Sequence, residues 1–199
     1  MEIRKSIEKY IEQLRKPNHR FKSWEHCYKA FSDYSNIDYL ALQLAFYLAS
    51  WGMYRGSSEL LQKDYFIHMP IIEILKSNRN LRKDNVTCKD VDQINKVIST
   101  ITKTYELRNV SRTLTTKILL GTFGCTPAID RYFKCGWKEC EETKKLPINI
   151  ENIVFFAERH KEEINFCKNI IPSDIIYPTM KIVDMYFWQI GYDNCSLKK

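Results

Sequence analysis

Thr115 to Phe133, TTKILLGTFGCTPAIDRYF, places an ammonium, a carboxylate and a guanidinium in one short segment broken by glycine. Lys117 precedes Gly121 and Gly124; Asp130 and Arg131 follow Pro127. A glycine break lets backbone approach a ligand closely. A carboxylate beside a cation stays charged at neutral pH and can serve as a base or stabilise a positive centre. Asp130 and Lys117 are therefore the candidate catalytic groups. Tyr47 to Ser58, YLASWGMYRGSS, sets Arg55 between two glycines. A helix ending at Gly52 and another starting at Ser57 or Ser58 would point free N–H groups and Arg55 at an anion. Trp51 and Tyr54 would supply aromatic surface there. Both segments also have purely structural readings, with Gly52 as a helix C-cap and Asp130 as a first-turn carboxylate favoured by the helix dipole.

The charge distribution supplies a second line. Net charge is +7, from 31 basic and 24 acidic residues. Lys76 to Lys117 alone carries an excess of +6. Such a stretch attracts phosphates through counterion release, although a solvated surface loop and helix face would look the same. Arg79, Arg82, Lys83 and Arg112 from this stretch, with Arg55 and Arg131, are the candidate phosphate ligands.

Other chemistries find no support. The chain has no Gly-x-x-x-x-Gly-Lys phosphate loop and no dinucleotide fingerprint. His26, His68 and His160 stand apart, so no nucleophile–histidine constellation is inferred. The segment CGWKEC, Cys135 to Cys140, lacks a second ligand pair, and Cys125 and Cys167 are the only conceivable additions. No metal and no cofactor are expected. Seven scattered cysteines, an odd number, read as reduced thiols. The first residues, MEIRKSIEKYIEQLRK, lack an apolar core, so no signal peptide is read and a cytoplasmic protein is expected. The longest apolar run, Tyr39 to Trp51, is too short for a membrane span.

The elements that must position these groups are helical throughout. Gly and Pro are scarce, six each among 199 residues, and apolar residues recur at three and four positions. Helices are expected from Ile3 to Leu14, Trp24 to Phe31, a cap at Ser35 or Asn36 to about Trp51, Pro70 to about Lys76, and a box-like start at Thr87 and Asp90 to about Leu107, with a brief turn from Ser57 or Ser58 to Gln62. Further helices are expected at Leu114 to Leu120 and Ala128 to Phe133, the latter opened by Thr126-Pro127. The last are Asn149 to Ile170 and Pro178 to Gly191. Ser77 to Val86 reads as a surface loop, Lys134 to Ile148 as irregular, and Ile170 to Tyr177 as a short extended piece. The helix ending at Trp51 is apolar nearly all round and should be the central one. In the last helix Asp184 lies in an apolar face three residues from Lys181, a spacing that permits pairing; if buried it needs a partner, with Arg55 or Arg131 as candidates. The expectation is a single all-α domain over 1–199, nine or ten helices in one globule, arranged as two packed lobes with the first and last helices in the same one.

Val110 to Phe133, VSRTLTTKILLGTFGCTPAIDRYF, resembles the second half of the helix-hairpin-helix DNA glycosylases. In that family the hairpin is followed by a helix, a Phe-Gly-like turn, a proline and a catalytic aspartate; here Phe123-Gly124, Pro127 and Asp130 follow in that order. The hairpin position, Leu107 to Ser111, reads LRNVS without glycine, and the position of the family's lysine nucleophile falls near Thr113, one turn before Lys117. The resemblance implies a nucleic-acid-binding, base-processing enzyme in which Asp130 stabilises charge at the sugar or activates water. Trp51 or Tyr54 would then stack on an extruded base. WGMYRGSS and LLGTFGCTPAIDRYF also resemble segments of bacterial helical proteins that bring no activity with them. The alternative is a non-enzymatic interaction or small-ligand-binding protein whose charges are internal ties. DNA or another nucleic acid is the expected partner under the first reading, and no membrane under either.

Overall fold

The computed structural model describes residues 3–56 and 58–195. They form ten α-helices and no strand: α1 (Ile3–Leu14), α2 (Lys22–Ala30), α3 (Ile37–Ser50), α4 (Met69–Ser77), α5 (Val91–Thr104), α6 (Arg112–Thr122), α7 (Arg131–Glu139), α8 (Ile150–Arg159), α9 (Lys161–Ile170) and α10 (Thr179–Cys195). The buried side chains make one continuous core. No described helix is long and apolar enough to cross a membrane. Ser57, one of the two expected starts of the turn after Gly56, lies outside the described residues; a short 3-10 turn runs Glu59–Gln62.

Local chemistry accounts for most helix ends. The Asn36 carboxamide accepts from the Tyr39 N–H at 2.9 Å and opens α3. Gly52 adopts φ 75°, and the N–H groups of Gly52 and Met53 return to the carbonyls of Ala49 and Leu48, closing α3 with a left-handed cap. Thr87 and Asp90 form the reciprocal box that starts the segment leading into α5.

Tertiary packing corrects several expectations. The central helix is α10, buried at every residue from Thr179 to Gly191, and not α3. On α3 the outward face leaves Tyr39, Leu42 and Phe46 about half exposed. Lys181, Asp184 and Gln189 disguise α10 in the sequence, yet all of them are buried.

Residues 134–139 are helical rather than irregular, as part of α7, because Gly136 is a contact residue and not a breaker. It faces Gly191 where α7 crosses α10. A Cβ at Gly136 would collide with the Phe187 carbonyl, and one at Gly191 with the Tyr132 carbonyl. Backbone atoms in two packed helices cannot yield, so only glycine fits at either position.

Thr126-Pro127 does not open a helix. Residues 125–129 form a buried non-helical link, and Asp130 is the N-cap of α7. The expected helix from Asn149 to Ile170 is broken at His160, whose ring pairs with Glu142 at 2.8 Å. Ser77 to Val86 is only partly a surface loop, since Leu81 and Val86 are buried. The reading of all cysteines as reduced thiols is also corrected: Cys135 of α7 is bonded to Cys195 at the end of α10, with Cα atoms 6.7 Å apart. α7 and α10 already pack glycine to glycine, which brings these two thiols together across sixty residues of sequence.

Candidate functional site

Four elements converge on one cleft of about 430 Å³. The end of α3 contributes Trp51 and the turn after it Arg55; α6 contributes Thr113 and Lys117; α7 contributes Asp130, Arg131 and Tyr132; Arg20 and Trp188 complete the wall. The first turns of α6 and α7 both face this space, so two positive helix ends add to the cations.

The floor is a Lys117–Asp130 pair. Asp130 Oδ1 accepts the Phe133 N–H at 3.0 Å, which fixes the carboxylate as the α7 cap. Its Oδ2 lies 3.5 Å from Lys117 Nζ. Lys117 Nζ also donates to the Trp51 carbonyl at 2.7 Å, so the lysine closes the C-terminus of α3. Burial pushes the Lys117 ammonium below the ordinary lysine value, with Asp130 opposing the shift.

Around the rim stand Arg20, Arg55 and Arg131. Arg20 donates to the Ser50 carbonyl at 3.3 Å and lies 5.0 Å from the Trp51 ring centroid. Arg131 lies 5.0 Å from the Tyr132 ring centroid. Arg55 packs over Gly52. Among the described residues none of the three has a carboxylate within ion-pair distance. The cleft therefore holds four cations and one carboxylate.

Directly beneath lies a second pair, sealed from solvent. Lys181 Nζ donates to Asp184 Oδ2 at 2.9 Å and to the Tyr10 hydroxyl at 3.4 Å. Asp184 Oδ1 accepts the Ala128 N–H at 3.0 Å. Asp184 thus ties down the buried 125–129 link, helped by the Thr116 hydroxyl, which accepts the Ile129 N–H at 3.0 Å. Burial lifts the Asp184 carboxyl above the usual carboxylate range. Burial also works against the charge on Lys181, but Asp184 and Tyr10 outweigh it and hold that lysine above its ordinary value. The partner of Asp184 is therefore Lys181, and neither Arg55 nor Arg131.

The other expected site residues separate. Arg82 is drawn inward, its guanidinium 3.6 Å from the Tyr28 ring centroid and donating to the Thr122 carbonyl at 2.6 Å. Lys83 pairs with Asp90 at 2.5 Å. Arg112 donates to the Ile148 carbonyl at 2.9 Å. Arg79 is exposed on a 3-10 turn away from the cleft. The basic stretch therefore divides between internal ties and scattered surface charge. Trp51 lines the cleft, but Phe21 stacks on it at 5.3 Å and Lys181 Nζ lies 5.5 Å from its centroid, so the ring is a wall and not a stacking platform. Tyr54 does not line the cleft. Its hydroxyl meets His68 Nε2 at 2.6 Å, and His68 Nδ1 meets the Tyr105 hydroxyl at 2.7 Å. His68 is fully buried in this chain of contacts, and burial pushes it down to about 4.

Arg20, Tyr132 and Trp188 were missed in the sequence. Arg20 follows a turn in which Asn18 takes a left-handed φ of 55°, and Lys-Pro-Asn reads only as a helix stop. Trp188 and Tyr132 read as core aromatics, and nothing in their spacing marks them as cleft residues. Among the described residues no group of three or more metal-ligating side chains is placed to hold an ion. Residues 105–111, where the resemblance places the family's hairpin, form a non-helical link between α5 and α6. Compared with known family models, curated proteins and solved structures, the chain matches none.

Proposed function

We propose that this chain binds nucleic acid through the cleft and processes a nucleotide held there. One observation carries the reading. Arg20, Arg55 and Arg131 have no carboxylate partner among the described residues and surround the Lys117–Asp130 pair at the floor of the cleft. Arginines left unpaired around a recess are suited to phosphate oxygens, which they meet with planar, charge-assisted hydrogen bonds.

Lys117 and Asp130 supply the chemistry at the floor. Burial lowers the proton affinity of Lys117, so more of its amine is in the unprotonated, nucleophilic form than an exposed lysine would offer. Asp130 stands where a carboxylate would stabilise positive charge developing at a sugar carbon, or activate a water. The resemblance to helix-hairpin-helix glycosylases supplies the reaction class, release of a base. A second reading is kept because of the cleft's size: about 430 Å³ falls in the range that holds a small molecule, so a phosphorylated small ligand fits the same cations.

The test is binding measured across salt concentration. Affinity should fall steeply as salt rises. Arg55→Glu and Arg131→Glu should each weaken it by about tenfold or more, because a reversed charge repels the phosphate. Arg79→Glu should change it little. Asp130→Asn should retain binding and abolish base release. No complex with nucleic acid near physiological salt, with the protein folded, overturns the nucleic-acid reading and leaves the small ligand standing.

A further inference from the structure

The cleft does not end at its own rim. A depression of about 420 Å³ adjoins it through Arg20 and Trp188, which line both. Another, of about 410 Å³, adjoins it on the opposite side through Met53, Arg55 and Ser111. Shared walls set the three side by side, together called the groove below, with the Lys117–Asp130 floor in the middle depression.

The groove is chemically graded. The end beyond Trp188 is close to charge-balanced, since Asp193 there pairs with Lys9 at 2.8 Å and Glu12 offsets Arg20. It is aromatic instead: Tyr192 stacks on Trp188 with centroids 5.0 Å apart and planes 12° from parallel, and is about half exposed. Tyr132 meets both rings edge-on and Trp188 is itself buried, so Tyr192 is the accessible part of this aromatic shelf. The centre is strongly cationic. The far end adds Arg108, exposed, against Glu59, which is held by the Arg108 N–H at 2.8 Å.

We infer that the groove takes a single strand of nucleic acid, with a base on the exposed side of Tyr192, its phosphate among Arg20, Arg55 and Arg131, and the next phosphate between Arg55 and Arg108. This rests on the phosphate-binding reading of the cleft and extends it to a substrate form. An apolar shelf beside a cationic channel is what an unpaired strand uses, since each nucleotide offers a flat face and a charge. A duplex hides its base faces within its own stack, so the shelf offers it nothing. A bare polyanion would gain from the arginines and not from Tyr192.

The experiment titrates the full chain with thymidine monophosphate, oligothymidylates of increasing length, a blunt duplex and inorganic polyphosphate, read by tryptophan fluorescence and calorimetry. Affinity should climb at least tenfold from the mononucleotide to the length that fills the groove and then level off. Duplex and polyphosphate should bind at least tenfold more weakly than that oligonucleotide. Stacking on an aromatic contributes about 1–3 kcal/mol per base, so Tyr192→Ala should weaken the oligonucleotide by roughly 5-fold to 150-fold. Tyr192→Ala should weaken the mononucleotide by a similar factor, whereas Arg108→Glu should weaken the oligonucleotide by about tenfold and the mononucleotide little. Lys96→Glu, exposed on α5, should not matter. A mononucleotide that binds through Arg55 and Arg131 with no gain on lengthening overturns the groove and leaves the cleft reading intact. Duplex or polyphosphate binding as tightly as single strand also overturns it. Absence of binding by every probe, with the chain folded, overturns both.

Discussion

The Lys181–Asp184 and Lys117–Asp130 pairs are built from the same two side chains and line the same small enclosed space between Trp51 and Trp188. Their surroundings differ. Lys181 and Asp184 are 1% and 3% exposed, and each has a further buried partner, Tyr10 for the lysine and the Ala128 N–H for the carboxylate. Lys117 and Asp130 are 3.5 Å apart, and both line the open cleft. Their second partners are helix ends: Lys117 closes α3 and Asp130 opens α7. The inner pair is sealed, and its work is to hold the 125–129 link against α10. In the outer pair Lys117 is buried as well, but Asp130 stays partly exposed at the cleft floor, where a ligand can meet it. Identical residue types thus divide into a structural tie and a candidate site according to whether the carboxylate reaches the cleft.

Removing each carboxylate tests that division most strongly. Asp184→Ala leaves Lys181 as a buried uncompensated charge and the Ala128 N–H unpaired, and should cost about 3–5 kcal/mol of stability in urea unfolding. Asp130→Asn retains a good N-cap and should cost only about 1 kcal/mol. Equal losses from the two would break the comparison.

Acid sensitivity has to be separated from both pairs, and His68 supplies the control. The folded state holds it at about 4 against an ordinary 6.5. Between those values the unfolded chain binds the extra proton, so stability falls as pH drops through that window. The full difference is about 3 kcal/mol at most. His68→Gln should flatten the pH dependence of thermal unfolding over this range, and an unchanged slope would mean that another group carries it.

The smallest expected effect sharpens the role of the outer pair. Burial lowers Lys117 and arginine does not titrate, so anion binding should weaken on the alkaline side as Lys117 loses its proton. The loss should be several-fold and should begin below the ordinary lysine range. Lys117→Arg should abolish that pH dependence. A flat alkaline profile in the unsubstituted protein would remove Lys117 from the ligand's surroundings.

Much of the helical scaffold was legible because its signals are local. The stripe Ile3, Ile7, Tyr10, Ile11 and Leu14, the cap at Asn36, the stop at Gly52 and the box from Thr87 to Asp90 each depend on neighbours within a turn or two. Asp130, Lys117, Arg55 and Arg131 were also visible as charges beside breaks, and they do share one cleft. Arg82 and Lys83 look no different in sequence, yet they bind Thr122 and Asp90 internally, because only packing decides which cations find a carbonyl or carboxylate.

By itself the sequence determined the all-α class and most helix boundaries, since hydrophobic period and capping chemistry act between near neighbours. Tertiary structure decided which helix is central, which thiols are bonded and which lysine–aspartate pair is open. The helix that carries Lys181 and Asp184 became the innermost because these two satisfy one another there and Gly191 admits α7 against it. Cys135 meets Cys195 through that same crossing. These outcomes depend on contacts between residues far apart in the chain, and no local spacing encodes whether a charge will find its partner in the core or face a cleft.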